Sequence, residues 1–554
     1  MKPLLPDAEM ERLTEAFPIL DAEEREIARE CGTVESLESG QCLFQAGQQP
    51  VDFFVVASGS LEIIDTSGDE ERLVVTHHVG SITGDLNLFA GRPAVVTCRA
   101  VSASEVIRLT HSDLRHLLVR ASCLGEKWMT AFLSRAELLD NTAFEGLRVF
   151  GGHNDQATLH VREFLHRNGI PHHWIDIDDP ANAALVAAID GSNGKAPVVA
   201  WGAKILLRNP SLHELAAKVG VQRTIPKEPF DTVIIGGGPA GLGAAVYAAS
   251  EGLHTVVLDR IGPGGQAGAS SRIENYAGFP SGLSGRDLAL RSYLQALKFG
   301  AVFSAPVNVR ELRCAGGDLH EVVTDEGEVV RTRTIIIAAG VSYRTLGVRG
   351  LNQLRGAGVY FSATQVEAML CRAGPVHIIG AGNSAGQAAM YLSRFTDRVR
   401  LIVRGGNIRK GMSSYLAERV EVNPHIDIRL HSELRAVEGS GCLERVHIEN
   451  TAAGQTSVED SVGVFIFIGA TPCTDFLGSA IRRDEKGYIV TGAEVSAAGA
   501  WPAQDRQPCA LETSCPGVFA AGDCRSRTTK RVAFAVGDGA LAVTCVHDFL
   551  GTYD

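Results

Sequence analysis

The chain has 554 residues, of which 45% are apolar and 21% are charged, and its formal net charge is −12. This length predicts several domains rather than one core, and the acidic balance disfavours a nucleic-acid partner. No run of eighteen or more uncharged apolar residues occurs, and the first residues lack the pattern of a signal peptide, so we expect a cytoplasmic protein with no membrane partner. The twelve cysteines are scattered and no two form a C-x-x-C pair, so most are expected to be buried apolar residues, and no metal site is predicted.

The N-terminal segment, residues 17–140, reads as short apolar strands separated by glycine turns. It continues with the stretch SITGDLNLFAGRPAVVTCRAV and a helical pattern from Ser112 to about Asp140. This order resembles the cyclic-nucleotide-binding domains. The resemblance implies that residues 1–140 form a β-rich regulatory domain.

Two positions of that resemblance bear on ligand binding. In the family a Gly-Glu pair holds the ribose, and Gly84 and Asp85 stand in those places here. The family's phosphate-binding arginine is replaced by Ala94, which leaves Arg92 and Arg99 as the nearby cations. Without a positioned guanidinium, charge-assisted recognition of a phosphate is lost. A degenerate regulatory or interaction module is favoured over a cyclic-nucleotide site. Binding of a small-molecule ligand by this domain remains an open alternative.

Residues 146–226 alternate between strand and helix patterns, beginning with LRVFGG and ATLHVREFLHRNG. The order resembles thioredoxin or glutaredoxin, including a proline at Pro197 that is cis beside the active site in that fold. The redox cysteines are absent, so the module is predicted to be a spacer or docking surface. Acid–base work by His153 and Asp155 is the alternative, but solvated loop residues are favoured.

A dinucleotide-binding unit follows in DTVIIGGGPAGLGAAVYAASEGLHTVVLD. Gly236 allows a tight turn, Gly238 lets backbone N–H groups approach a pyrophosphate, and Gly241 allows close packing of helix on strand. Asp259 ends the second strand and suits a ribose hydroxyl. Pro239 and Ala240 complete the predicted loop.

A second unit follows in PVHIIGAGNSAGQAAMYLSRFTDRVRLIVRGGNIRK. Gly380, Gly382 and Ala385 take the three loop positions, with Asn383 and Ser384 between them. After the second strand an NAD site carries an acid, but this chain has Arg404 and then Arg409, which suit the 2′-phosphate of NADP. NADPH is favoured over NADH. The alternative is that these cations belong to a solvated loop.

From about Phe230 to the C-terminus, the chain resembles the bacterial-type thioredoxin reductases. The shared landmarks are the two units, GGQAGASSRIENYAGFP, TIIIAAG, VGVFIFIGATP and VFAAGDCRSRTTKRVAFAVGDGALA. The resemblance implies a homodimer in which an FAD domain, residues 229–345 and 468–554, is interrupted by an NADP domain, residues 351–467. The expected fold class is therefore multidomain: a β-rich domain, a thioredoxin-like α/β domain and two Rossmann-like α/β domains.

The same resemblance implies further FAD contacts along the flavin. In the family a Gly-Asp pair binds the ribityl chain and the following helix approaches the isoalloxazine ring. Carried to this chain, the FAD positions are Gly265, Gln266, Asn275, Gly340, Gly522, Asp523, Arg531, Val532 and Ala533.

One departure from the family concerns the electrons. Thioredoxin reductases carry Cys-Ala-Thr-Cys just before the NADP strand, where this chain has Ser362 and Gln365 in place of the cysteines. A hydroxyl and an amide cannot form a disulfide, so no residue is predicted as catalytic with certainty. Cys371, Cys515 and Cys524 are interpreted as core residues.

The predicted function is hydride transfer from NADPH to FAD, followed by transfer to an external acceptor. A partner's disulfide, a small redox protein, a quinone and dioxygen remain open as acceptors. Two alternatives also remain: a thioredoxin-disulfide reductase that uses noncontiguous cysteines such as Cys371, and a redox or ligand sensor with little turnover.

Overall fold

The computed structural model places helices and sheets in the predicted order along most of the chain. It describes residues 14–66, 71–141, 147–152, 155–189, 197–201, 204–221, 225–270, 273, 276–314, 319–344, 346–351, 353–354, 357–361, 363, 368, 371, 374–396, 398–502 and 506–551. The domain limits given above stay predictions.

The N-terminal region is β-rich, as predicted, and its described strands form two antiparallel sheets. Phe53, Trp128 and Phe132 are fully buried in its core. The sheets have the strand orders Thr33–Leu37, Ser104–Leu109, Phe53–Ser58 and Cys42–Phe44, Thr97–Ala100, Leu61–Asp65, Arg72–His77. The helices are Ala22–Cys31, Leu86–Phe89, His111–Arg120 and Ser122–Asn141.

The prediction of a single helix from Ser112 to about Asp140 is wrong, because the structure has two helices that are separated at Ala121. That residue is extended, with φ −119° and ψ 90°. A Cβ on Gly125 would lie 2.8 Å from the carbonyl oxygen of Leu118, so the second helix folds back tightly on the first. The hydrophobic pattern runs on through this break and does not reveal it.

In the next region strands and helices alternate, as the sequence pattern predicts, and the resemblance to thioredoxin stays a prediction. Its sheet runs Lys204–Arg208, Val198–Trp201, Leu147–Gly151, His172–Asp176. The last two strands are parallel, and the other pairs are antiparallel. The helices are Gln156–Arg167, Ala183–Ala188 and Leu212–Lys218, with a 3-10 turn at Pro180–Asn182. The residue before Pro197 lies outside the described residues.

The third region contains a mixed sheet of seven strands. Its order is Val302–Ser304, Thr255–Leu258, Phe230–Ile235, Val329–Ile337, His320–Thr324, Val309–Arg313, and Val518–Ala520 also pairs with Val329–Ile337. This last strand comes after the nucleotide domain in sequence, so the chain returns to complete the sheet, as the predicted interruption requires. The helices are Pro239–Ser250, Gly285–Lys298, Ala493–Ala497 and Val532–Gly551, with 3-10 turns at Ala267–Ala269 and Gly522–Cys524, and Val341–Tyr343 pairs with Ala470–Pro472.

The inserted region is built on a parallel sheet of five strands, as expected for a Rossmann-like domain. Its order is Val359–Tyr360, Gly463–Ile466, Val376–Ile379, Val399–Ile402, Ile426–Arg429. Helices Asn383–Leu392 and Ser414–Glu421 and the turn Ile408–Lys410 accompany it. A separate antiparallel sheet contains Ser432–Glu438, Arg445–Asn450 and Gln455–Asp460.

Among the described helices, Val532–Gly551 alone is long and apolar enough to cross a bilayer by length and composition. One of its faces packs against helix Pro239–Ser250 in the core. Its Asp538 pairs with Arg525 at 3.1 Å. This face of the helix is therefore part of the core of the FAD region, although only 33% of its apolar window is buried.

Candidate functional site

The first glycine-rich turn lies where a central strand meets a helix. Strand Phe230–Ile235 is followed by Gly236, whose φ of +109° is rarely adopted by residues with a side chain. A Cβ on Gly241 would overlap the carbonyl oxygen of Gly236, so only glycine permits this approach. Helix Pro239–Ser250 begins at Gly238 without a side-chain cap, and its first N–H groups are available to an anion.

The carboxylate of Asp259 is held beside this turn by backbone groups. Its Oδ2 accepts from Gly237 N at 2.7 Å, and its Oδ1 accepts from Ile261 N at 2.9 Å and Gly262 N at 2.8 Å. Since a carboxylate has about four acceptor positions, these bonds orient it and leave capacity for a ribose hydroxyl. The contact of Asp259 with the ribose stays a prediction.

A second loop forms the opposite wall of the predicted pyrophosphate site. Gly265 has φ +52°, and a Cβ on it would lie 2.8 Å from Gly238 Cα, so the two loops meet with no space for a side chain. The Gln266 side-chain amide donates to the carbonyl oxygen of Val341, which ties this loop to the strand after the sheet. Asn275 lies outside the described residues. The glycine cradle fits the pyrophosphate of a bound FAD.

Gly522, one of the two predicted ribityl contacts, adjoins helix Pro239–Ser250, since a Cβ on it would lie 2.8 Å from Ala240 Cβ. Its φ is +73°, and its N–H donates to Asp538 Oδ2 at 3.0 Å. Gly340, predicted only as an FAD residue, has φ +67°. Burial raises the pKa of Asp523, the nearby Asp538 carboxylate adds to this, and Lys530 opposes it. Asp538 was not among the predicted residues, although it lies in the quoted stretch AVGDGALA and positions the Gly-Asp pair.

The predicted isoalloxazine contacts lie at the start of the last helix. Arg531 and Ala533 are exposed and Val532 is half-buried, so this end of the helix is open. Farther along, a Cβ on Gly539 would overlap the carbonyl oxygen of Ala240. Close contact between helices Val532–Gly551 and Pro239–Ser250 thus sets the distance between the first glycine turn and the predicted isoalloxazine contacts.

The second nucleotide loop repeats the first. Gly380 has φ +144°, and a Cβ there would overlap the carbonyl oxygen of Phe467. Gly382 precedes helix Asn383–Leu392 without a side-chain cap, Ser384 is exposed and Ala385 is fully buried. The Asn383 side chain accepts from Ser413 N at 2.8 Å and holds the helix start against the loop that follows the second strand.

The two predicted NADP cations differ in their surroundings. Arg404 is exposed just beyond strand Val399–Ile402. Arg409 forms a bidentate pair with Glu421, at 3.1 Å from Nε and 2.5 Å from Nη2. Arg404 is therefore the better placed of the two for a 2′-phosphate. His431 also adjoins this loop, since a Cβ on Gly406 would lie 2.8 Å from its Nε2. No motif in the sequence points to this histidine.

Comparison with known proteins agrees with this geometry. Residues 230–539, more than half of the chain, match the pyridine nucleotide-disulphide oxidoreductase family. The chain belongs to this family. Thioredoxin reductases of Treponema pallidum and Bacillus subtilis are 33% and 32% identical to it over 58% of this chain and 98% and 95% of their own lengths. The crystal structure of Lactococcus lactis thioredoxin reductase covers 58% of this chain and 99% of its own, with 28% identity and a TM-score of 0.51.

This oxidoreductase is accordingly an NADPH-dependent flavin enzyme that uses FAD and NADPH. Residues 34–121 match the cyclic nucleotide-binding domain family, in agreement with the resemblance seen in the sequence.

The prediction that most of the twelve cysteines are buried is wrong: five are buried, whereas Cys42, Cys123 and Cys442 are exposed. Cys371 and Cys524 are fully buried, and Cys515 is buried. Cys371 Sγ lies in the core of the NADP region, where a Cβ on Gly463 would approach it to 2.6 Å. Ser362 and Gln365 lie outside the described residues.

One disulfide was not predicted. Cys509, in the loop before strand Val518–Ala520, is bonded to Cys545 on the last helix. The two positions are 36 residues apart in sequence, and scattered cysteines do not reveal their pairing.

Within the described residues, Cys314, His320 and Cys515 form the one grouping of metal-ligand type, with one ligand atom from each within 4.8 Å of the others. A closed structural zinc site has four protein ligands. The expectation of no metal stays a prediction, and elemental analysis of the purified oxidoreductase checks it.

In the thioredoxin-like region, Asp155 caps a helix. Its Oδ2 accepts from Thr158 N at 2.8 Å and from Thr158 Oγ1 at 2.6 Å. Its hydrogen bonds are those of a helix cap, which gives no support to acid–base work. His153 lies outside the described residues.

Proposed function

We propose that this oxidoreductase passes reducing equivalents from NADPH through FAD to an external acceptor, without a Cys-x-x-C disulfide of its own. When bound, the two cofactors supply hydride transfer between nicotinamide and flavin. The chain's part is to position them: Gly236, Gly238 and Asp259 for FAD, and Gly380 and Arg404 for NADPH. The observation that carries the proposal is the substitution of Ser362 and Gln365 for the family's cysteines.

The burial of Cys371 supports the same proposal. A thioredoxin-disulfide reductase that used noncontiguous cysteines would need a thiol that reaches both flavin and substrate. Cys371 is fully buried among apolar side chains of the NADP region. Replacing it with serine is therefore expected to leave electron transfer unchanged.

Anaerobic titration with NADPH tests the proposal. The flavin should bleach without the long-wavelength absorption of a thiolate stacked on oxidised flavin. The reduced enzyme should then be mixed with oxidised thioredoxin, a small-molecule disulfide, a quinone and dioxygen, with reoxidation followed by stopped flow. A thiolate-flavin band in the native enzyme would contradict the proposal.

The acceptor is proposed to be a small redox protein, a disulfide, a quinone or dioxygen, and the enzyme to act as a cytoplasmic homodimer. The exposed start of helix Val532–Gly551, with Arg531 and Ala533 at the surface, supports access of an external acceptor to the flavin end. Sedimentation at several protein concentrations tests the dimer.

Cofactor choice gives a further prediction, since Arg404 is exposed at the end of the second strand of the NADP unit. Arg404→Ala should raise the KM for NADPH about tenfold or more, while the KM for NADH changes little, because only NADPH carries the 2′-phosphate. Steady-state reduction of an artificial dye acceptor with each nucleotide measures both constants.

Arg394→Ala is the matched control for this prediction. Arg394 is also exposed but follows the far end of helix Asn383–Leu392. An unchanged KM for NADPH in Arg404→Ala would assign the residue to the solvated loop instead, and an equal loss with both nucleotides would show that it does not recognise the 2′-phosphate.

A further inference from the structure

The N-terminal domain contains an apolar cavity of about 80 Å³ between its sheets and its last helix. Its walls include Phe17, Phe44, Ile63, Leu88, Val96 and Leu138. The polar side chains that reach it are His77, Asp85 and Arg135. Burial, helped by the charge of Arg135, lowers the pKa of His77 to about 3, so this imidazole is neutral at physiological pH.

The cations near the cavity are committed to other groups. Arg135 donates to the carbonyl oxygens of Ala16 at 2.7 Å and Ile82 at 3.0 Å, and also to that of Gly84. Arg99 pairs with Glu62 at 3.1 Å and Glu71 at 3.4 Å. Ala94, which stands at the family's arginine position, contributes only a methyl group to the wall.

The size and polarity of the cavity oppose a cyclic nucleotide. A phosphate needs charge-assisted donors, and the guanidinium groups of Arg135 and Arg99 are already engaged by other groups. An apolar cavity of about 150 Å³ in another protein stays free of water and takes up benzene. The cavity here has about half that volume, and its wall is apolar apart from His77, Asp85 and Arg135, so it suits an apolar molecule no larger than benzene.

Arg92, the remaining cation, points away from the cavity into a domain junction. It is 4% exposed, and its Nη1 contacts Asn87 Oδ1 at 3.2 Å and the backbone carbonyl of Asn168 in the thioredoxin-like region. Asn87 Nδ2 lies 3.5 Å from Asp85 Oδ2, at the cavity wall. A buried polar contact thus runs from the cavity to Asn168.

Asn168 continues this contact into the FAD region. Its Nδ2 donates to the carbonyl oxygen of Ile261 at 2.7 Å, and it is 2% exposed. Ile261 N in turn donates to Asp259, the predicted ribose carboxylate. A Cβ on Gly262 would lie 2.6 Å from Asn168 Nδ2, so the two regions are in close contact here.

We propose that the N-terminal cavity binds a small, uncharged, apolar molecule rather than a cyclic nucleotide, and that its occupancy alters the FAD site through Arg92, Asn168 and Ile261. Binding of the molecule does not depend on which electron acceptor the enzyme uses. The effect on the FAD site requires only that FAD is bound there. Either part of the proposal can therefore fail while the proposed function holds.

Binding is tested with benzene as the probe, by saturation-transfer NMR on the FAD-loaded enzyme. We expect saturable binding of benzene and none of cyclic AMP or cyclic GMP. Val75→Phe, on strand Arg72–His77, and Val96→Phe, just before strand Thr97–Ala100, fill the cavity from two sides and should each abolish the signal. Val101→Phe is the matched control, because Val101 is exposed in the same domain and its variant should bind as the native enzyme does. Benzene binding that survives both filling variants, or specific binding of a cyclic nucleotide, would overturn the proposal.

Transmission is tested by the rate at which FAD leaves the enzyme, followed by the rise in free-flavin fluorescence. Saturating benzene is expected to change this rate at least about twofold. Asn168→Ala keeps the backbone carbonyl that Arg92 uses but removes the bond to Ile261, so benzene should still bind and no longer change the rate. Asn182→Ala removes the hydrogen bond from Asn182 Nδ2 to the carbonyl oxygen of Asp176 within the same region and serves as the control. An unchanged FAD release rate in the native enzyme at saturating benzene would refute the transmission step.

Discussion

Replacing Gly539 with alanine is expected to cost the enzyme most of its FAD and to lower its free energy of unfolding by about 3 kcal/mol. The added Cβ would overlap the carbonyl oxygen of Ala240 and lie 2.8 Å from Ala244 N, and both are backbone atoms of the helix that follows the first glycine turn. That helix cannot yield without moving the turn that holds the pyrophosphate. Urea unfolding of the apoenzyme and the flavin content after gel filtration measure the two effects.

The matched control is Gly537→Ala, two residues earlier in the same helix. Nothing lies within 4 Å of a Cβ built at this position. Alanine is favoured over glycine in a helix by about 1 kcal/mol, so this variant should keep its FAD and gain a little stability. If both variants behaved alike, the tight contact between the two helices would not be what holds the FAD site together.

The nucleotide units could be predicted from the sequence because their chemistry is local. The local backbone requires a glycine at each of three positions: Gly236 and Gly380 have a positive φ, and a Cβ on Gly241 would overlap the carbonyl oxygen of Gly236. The strand, glycine and helix order therefore appears in the sequence as a continuous pattern. The return of the chain to the FAD sheet after the NADP domain was available only from the family resemblance.

Features that depend on distant residues were not predictable. The pairing of Arg409 with Glu421, the support of Gly522 by Asp538 and the contact of Asn168 with Ile261 each join residues whose meeting is fixed by the fold. The break at Ala121 escaped for a different reason, since the apolar pattern continues on both sides of it. The sequence indicated which residue types lie at the cofactor sites, whereas the structure showed which of these residues already bind other side chains.

Restoring the missing cysteines should change the electron capacity of the enzyme. Native enzyme is expected to take up about one equivalent of NADPH per FAD, because the flavin is the only two-electron acceptor on the proposed electron path and the Cys509–Cys545 disulfide is expected to stay oxidised. Ser362→Cys combined with Gln365→Cys recreates the family's Cys-Ala-Thr-Cys, and its disulfide should accept two further electrons. Anaerobic titration should then require about two equivalents of NADPH per FAD.

Each single substitution is the control, because one cysteine cannot form the disulfide, and both should retain the native stoichiometry. Addition of Cys371→Ser to the double variant should change nothing, since that thiol is buried away in the NADP core. The capacity for reducing thioredoxin is a separate step that needs a matching docking surface. A double variant that takes up the second equivalent but does not reduce thioredoxin would show that this enzyme lacks a docking surface for thioredoxin as well as the disulfide. A double variant that still takes up a single equivalent would mean that residues 362 and 365 do not reach the flavin as the family's cysteines do.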